Sequence, residues 1–177
     1  DDRTALLFRN ELGTEISYTY NELYTEVEKL ASAMRAMGLE KGDRVAGFLP
    51  NLPQTAIAML AASSIGAIWS STSPDFGFRG VMDRFGQIEP RILFTADGYF
   101  YKGKKNDSLG KIKEIVEAIP SIEKVIVIPY AEAEPDISAV PKATLLGDFA
   151  HDEPTPLAFE PLPFDHPLYI MYSSGTT

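Results

Sequence analysis

The chain has 177 residues, is 45% hydrophobic and 23% charged, and carries a formal net charge of −9. This is a globular composition with enough apolar material for one sizeable core, and its acidity excludes a general nucleic-acid binder, which needs a basic surface. The absence of cysteine excludes disulfides and thiolate metal sites.

His151 and His166 sit in a proline-rich stretch without metal-ligand spacing, so they read as loop residues and no metal site is expected. No run is long and apolar enough to span a bilayer, and Asp1-Asp2-Arg3-Thr4 does not resemble a signal peptide. A cytoplasmic protein with no membrane partner is the default expectation.

Along the chain, Ala5-Leu6-Leu7-Phe8 and Ile16-Ser17-Tyr18 read as short strands flanking a turn at Gly13. Thr19-Tyr20-Asn21-Glu22 has the form of a capping box. Behind it Leu23, Val27, Leu30, Met34 and Met37 recur at helical spacing until Gly38. Arg44 to Leu49 is a strand. Asn51 is the expected N-cap, with Pro53 in the first turn, of an almost wholly apolar and therefore mostly buried helix ending near Ile65. Ala67 to Ser71 is the next strand, and Thr72-Ser73-Pro74-Asp75-Phe76-Gly77 the loop after it. Phe78, Val81, Phe85 and Ile88 mark a helix that Pro90 ends.

Ile92 to Thr95 is a strand, Ile112 to Ile119 a helix closed by Pro120, and Val125 to Ile128 the most strand-like run. From Pro129 to Pro167 the chain holds eight of its 13 prolines, so an irregular connector is expected, with a short helix over Thr144 to Phe149. Leu168 to Tyr172 is the last expected strand. Strands separated by helices predict an α/β fold, a mostly parallel sheet with helices on both faces. Ligands in such sheets sit beyond the carboxyl ends of the strands. The hydroxyl-rich loops after Trp69 and Tyr172 both fall there.

Two segments carry candidate chemistry. Ser173-Ser174-Gly175-Thr176-Thr177 is either a polar turn or a phosphate loop, in which amides and hydroxyls converge on anionic oxygens around a glycine. It lacks the lysine of a P-loop, and no Gly-x-Ser-x-Gly elbow makes it a hydrolase nucleophile. Lys102-Gly103-Lys104-Lys105 is a basic island in an acidic chain, either a solvated cluster or an anion contact. Trp69 reads as core, and Asp75 and Asp83 as caps or surface charges.

Here the sequence resembles a family. Tyr172 to Thr177 is similar to the opening of the Tyr-(Ser/Thr)-Ser-Gly-(Ser/Thr)-Thr-Gly-x-Pro-Lys phosphate loop of adenylate-forming enzymes. These include the acyl-CoA synthetases, peptide-synthetase adenylation domains and luciferases. Tyr18 to Leu23, Gly38 to Ala46, Leu49-Pro50-Asn51 and Gly66 to Trp69 agree with that family in order and spacing. Ile68 to Gly77, Val81 to Phe85 and Tyr99 to Lys104 resemble its acetoacetate-activating branch more closely, since the acetate-activating enzymes carry a Phe-Gly-Gly-Phe-Ser loop where this chain has Ser73 to Gly77.

The resemblance implies that residues 1–177 are part of a large N-terminal adenylate-forming domain, with the catalytic lysine, the Mg2+ ligands and a C-terminal domain beyond Thr177. It implies acetoacetate, ATP and CoA as substrates, with Ser173, Ser174, Gly175, Thr176 and Thr177 on the ATP phosphates. Tyr101, Lys102, Gly103 and Lys104, with Lys105 adjacent, stand where the acetate-activating relatives carry an Arg-x-Gly-Arg that contacts the nucleotide end of CoA; here Lys104 replaces the last Arg and the first is absent. The expectation is that these residues alone are not catalytically competent. A ligase for another short-chain acid such as acetate, propionate or butyrate, and a non-catalytic nucleotide-binding scaffold, are the alternatives.

Overall fold

The computed structural model describes residues 1–150 and 153–173. The chain opens with an antiparallel hairpin of β1 (Thr4–Arg9) and β2 (Glu15–Thr19). In its turn Asn10 Oδ1 accepts the Leu12 and Thr14 amides at 3.0 and 2.9 Å. The capping box at the head of α1 (Tyr20–Ala36) forms as expected. Thr19 Oγ1 accepts the Glu22 amide at 3.2 Å, and the Glu22 carboxylate takes the Thr19 amide at 2.7 Å. That amide bond, with the Thr19 hydroxyl behind it, holds the Glu22 carboxyl below its ordinary range.

Strands and helices then alternate: β3 (Arg44–Phe48), α2 (Pro53–Ser64), β4 (Ile68–Thr72), α3 (Phe78–Ile88) and β5 (Ile92–Ala96). A short hairpin of β6 (Gly98–Tyr101) and β7 (Lys104–Asp107) follows, then α4 (Leu109–Ala118), β8 (Lys124–Ile128), β9 (Ala143–Leu145) and α5 (Leu146–Phe149). Five strands form one parallel sheet in the order β4-β3-β5-β8-β9.

Side-chain alternation assigns the layers. Val45, Ile92, Phe94, Ile126 and Ile128 face α1 and α2, packing with Leu30, Met34, Ile57 and Ala61. The intervening Ala46, Phe48, Leu93, Val125 and Val127 face α3 and α4, packing with Val81, Phe85, Ile112 and Ile115. Helices therefore cover both faces, and each large side chain fully buried between them contributes about 1.5–3 kcal/mol.

At the amino ends of three strands Arg91 gathers the chain. Its guanidinium bonds Asp43 at 2.6 Å, Glu123 at 2.7 and 2.9 Å, and the Gly38 carbonyl at 2.9 Å. Hydrogen bonding from Arg91 keeps the Glu123 carboxyl below its usual range, and the same contacts push the guanidinium value up.

Four local expectations are corrected. Asn51 does not cap α2: the N-cap is Leu52, extended at φ −112° and ψ 155°, with no side-chain cap bond. The ring of Pro53 forces its predecessor out of the helical region, so the helix starts one residue later than an Asn51 cap requires. The connector is not wholly irregular, because Ala143–Leu145 joins the sheet beside β8. Leu168 to Tyr172 forms no strand ladder and meets β4 at the single parallel bridge Trp69–Tyr169. The β6–β7 hairpin adds two strands where the sequence pattern indicates none. Among the described residues no helix is long and apolar enough to cross a membrane.

Candidate functional site

The strand order reverses between β3 and β5, which places a crevice at their carboxyl ends. On the β4 side of it lies a cavity of about 560 Å³ bordered by Trp69, Thr72, Ser73, Phe76, Arg84 and Tyr172, among others. The segment entering the expected phosphate loop forms one wall. It is fixed to β4 by Trp69 N–H donating to the Leu168 carbonyl at 3.1 Å and Ile170 N–H to the Trp69 carbonyl at 2.9 Å. Ser70 Oγ adds a bond to the Ile170 carbonyl at 2.9 Å.

Arg84, from α3, is the cation at this wall. Its guanidinium carbon stands 4.4 Å from the ring centre of Phe76 and 5.4 Å from that of Tyr172. One arm donates to the Gly80 carbonyl at 2.7 Å, while Tyr172 Oη donates to the Arg84 carbonyl at 2.9 Å. The residue just before the serines is thus tied to α3 through its ring and its hydroxyl. Lys111 of α4 holds the Ser73 to Gly77 loop by donating to the Pro74 and Phe76 carbonyls at 3.0 and 2.9 Å. Thr72 Oγ1 is buried and has no hydrogen-bond partner among the described residues.

The second feature projects from the carboxyl end of β5, two strand spacings or about 10 Å from β4. Here Tyr101 pairs directly with Lys104, and Lys102 and Gly103 form the two-residue turn between them. Both turn residues are left-handed, at φ 52° and 73°, as a type I′ turn demands. The Lys102 ammonium lies 5.2 Å from the centre of the Tyr101 ring, which is 61% exposed. Lys105 is engaged elsewhere, in an ion pair with Glu132 whose hydrogen bond raises its value. At the base of the hairpin the buried Asp97 accepts the Tyr130, Ala131 and Glu132 amides at 2.7, 2.9 and 2.8 Å.

Of the expected site residues, the structure describes Tyr101 to Lys104 together at the hairpin tip and Ser173 directly after the anchored Tyr172. Ser174, Gly175, Thr176 and Thr177 lie outside the described residues, as does His151. His166 meets the Gly66 carbonyl through Nε2 at 2.9 Å, a loop contact. Trp69 is core, being 4% exposed and packed against Phe94, but its ring also borders the cavity. Asp97, Lys111 and Arg84 escaped sequence reading because each acts through contacts made in three dimensions. Only Asp97 left a trace, as a lone acid ending an apolar strand. Among the described residues no three His, Cys, Asp or Glu side chains converge to hold a metal ion.

A parallel sheet clad on both faces, with a cavity and a basic hairpin beyond its carboxyl ends, defines a doubly wound α/β protein, a class whose ligands sit beyond the strand ends. The family described as AMP-binding enzyme matches residues 1–177. The chain belongs to that family. It is 48% identical to an acetoacetyl-CoA synthetase of Macaca fascicularis, over 100% of this chain and 27% of that protein. Its identity to the malonamoyl-CoA synthetase of Penicillium aethiopicum is 40%, over 100% of this chain and 25% of that protein. The solved acetoacetyl-CoA synthetase from Streptomyces lividans superposes with a TM-score of 0.91 at 42% identity, covering 99% of this chain and 26% of that one. The chain thus spans about a quarter of the length of these relatives.

Proposed function

We propose that the chain is the N-terminal part of an ATP-dependent acid–CoA ligase that makes acetoacetyl-CoA, AMP and pyrophosphate from acetoacetate, ATP and CoA. The observation that carries this reading is the 48% identity to an acetoacetyl-CoA synthetase along the whole chain. In the first step a carboxylate oxygen attacks the α-phosphorus and the bond to pyrophosphate breaks. In the second, the CoA sulfur attacks the acyl carbon and AMP leaves. A free carboxylate resists thiols, and adenylation supplies the leaving group.

The protein's share of such transfers is positioning and electrostatic stabilisation. Ser173, Ser174, Gly175, Thr176 and Thr177 hold the β- and γ-phosphates in this reading. It is supported by Tyr172, whose double tie to Arg84 fixes where that run leaves the sheet. Tyr101 and the ammonium groups of Lys102 and Lys104 receive the nucleotide end of CoA. An exposed ring beside two cations suits a purine with a neighbouring phosphate. Lysine serves there as a point charge, without the two-pronged grip of arginine. No step is assigned to Mg2+, for which the described residues offer no ligand cluster.

The test is acid-dependent ATP–pyrophosphate exchange by the full-length protein, with acetoacetate, malonamate, acetate, propionate and butyrate as rival acids. Acetoacetate should give the highest kcat/KM, and thioester should form only when CoA is added. A higher value for another acid reassigns the substrate; no exchange with any acid overturns the ligase reading.

A further inference from the structure

We infer that Glu11 is a positioning residue for the coenzyme end of the site, its carboxylate setting the Lys102–Gly103 turn from outside the hairpin. The inference rests on the reading of Tyr101, Lys102 and Lys104 as the CoA nucleotide contact.

The hairpin has little of its own to hold its shape. Its strands are four residues each, and β7 is exposed at three of its four positions. An isolated two-stranded hairpin of this kind is marginal in water. The turn is also ill supplied by its sequence, because type I′ favours Asn-Gly or Gly-Gly and here the first place, at φ 52°, is Lys102. An L-residue with a long side chain resists that backbone.

Glu11 makes up the deficit. One carboxylate oxygen accepts the Lys102 amide and the other the Gly103 amide, both at 3.0 Å, across 91 and 92 residues of sequence. Amide bonds to a charged acceptor are about twice as strong as neutral ones. The clamp is itself fixed. Beside it Asn10 closes its own turn on Leu12 and Thr14 and reaches Tyr130 Oη through Nδ2 at 3.3 Å. The Tyr130 ring stands edge-on to Phe8 and Phe100, at 6.4 and 5.6 Å between centres. The first hairpin, the turn after β8 and the basic hairpin are thereby joined at one end of the sheet.

The direction of the bonds matters. Glu11 spends its charge on backbone amides, and among the described residues no ion pair joins it to Lys102 or Lys104. Both ammonium groups stay open to a phosphate while the backbone that carries them is held. Loss of Glu11 removes no ligand-contacting group. It lets the turn sample other shapes, so the effect falls on KM for CoA.

The experiment compares Glu11→Ala, Glu11→Gln and the double variant Lys102→Glu/Lys104→Glu in the full-length enzyme. It measures KM for CoA, kcat, and exchange of the Lys102 and Gly103 amides with deuterium. Glu11→Ala should raise the CoA KM by about 5-fold, with kcat little changed and both amides exchanging faster. Gln has one acceptor oxygen for two amides, so an increase of about 2-fold is expected. A raised KM in the lysine variant with an unchanged KM in both Glu11 variants refutes the positioning role and leaves the CoA reading standing. A lowered KM in Glu11→Ala also overturns it, identifying Glu11 as a competitor of the ligand. If the lysine variant leaves KM unchanged, the CoA reading fails and takes this inference with it. Should Glu11→Ala not fold, Glu11→Gln and the amide exchange decide.

Discussion

Gly98→Ala should destabilise the chain by opening the basic hairpin, although Gly98 has an ordinary backbone conformation. A Cβ there would stand 2.5 Å from the Asn106 carbonyl oxygen and 3.0 Å from the Ala131 Cβ. Ordinary carbon contacts lie at about 3.5–4.0 Å, so roughly 1 Å of overlap must be absorbed. Rotating a side chain does not relieve it. Asn106 O belongs to the partner strand, and Ala131 is held by its amide bond to Asp97 at 2.9 Å.

Overpacking costs about 1–3 kcal/mol, and contacts on backbone put this site in the upper half of that range. Alanine recovers about 0.5–1 kcal/mol of strand entropy relative to glycine. The net loss is about 1–2.5 kcal/mol, equivalent to a fall of about 0.5–1.2 M in the urea midpoint for an m-value near 2 kcal/mol/M. Urea unfolding followed by circular dichroism measures this, and amide exchange at Tyr99 to Lys105 localises it. Gly103→Ala is the control: nothing lies within 4 Å of its Cβ, so only the left-handed strain at φ 73° remains. That costs about 1 kcal/mol. An unchanged or higher midpoint for Gly98→Ala, as strand propensity alone would give, refutes the reasoning.

Asp97→Ala should lower the melting temperature by roughly 6–12 °C, because three turn amides lose their acceptor at a combined cost of about 3 kcal/mol; scanning calorimetry checks it, with Asp97→Asn milder. Gly47→Ala brings a Cβ to 2.7 Å from the Trp69 ring, and Trp69 is the sole tryptophan, so its fluorescence should shift together with a loss of about 1–2 kcal/mol. In a Trp69→Leu background, followed by circular dichroism, that loss should nearly vanish. The Glu123 carboxyl is depressed in the folded state by its bonds from Arg91, so its contribution is complete above the unfolded glutamate value and disappears as pH falls through the lower folded one. Glu123 is 47% exposed, which limits that contribution to about 0.5 kcal/mol; the gap between wild type and Glu123→Gln in melting temperature should therefore be small at pH 7 and close below about pH 4.3.

The layers and core were legible because continuous β-branched runs such as Val125 to Ile128 and helical spacings such as Val81, Phe85 and Ile88 leave clear patterns. The hairpin was not. Its strands are too short for alternation to register, and Lys104-Lys105-Asn106-Asp107 has no strand propensity, its turn being held by Glu11 from distant sequence. Leu168 to Tyr172 read as a strand from its apolar residues, yet it meets β4 at one bridge rather than along a ladder. The candidate site was visible at its hydroxyls and lysines. Arg84 and Lys111 stayed hidden because a cation on an amphipathic helix looks the same whether it faces water or clasps a loop.

The lone bridge between Trp69 and Tyr169 also bears on the order of assembly. β3 and β4 pair across 24 residues, from Val45 to Trp69, whereas Ser70 finds Ile170 across 100. Closing a loop four times longer costs about 1.2 kcal/mol more in chain entropy. The stretch leading into Ser173 is therefore expected to dock after β3 and β4 have paired, an order that pulsed amide exchange during refolding would test. Until it arrives the outer edge of β4 is bare, a template for any other extended chain. In the folded chain the segment that leads into Ser173 therefore also covers part of the outer edge of β4.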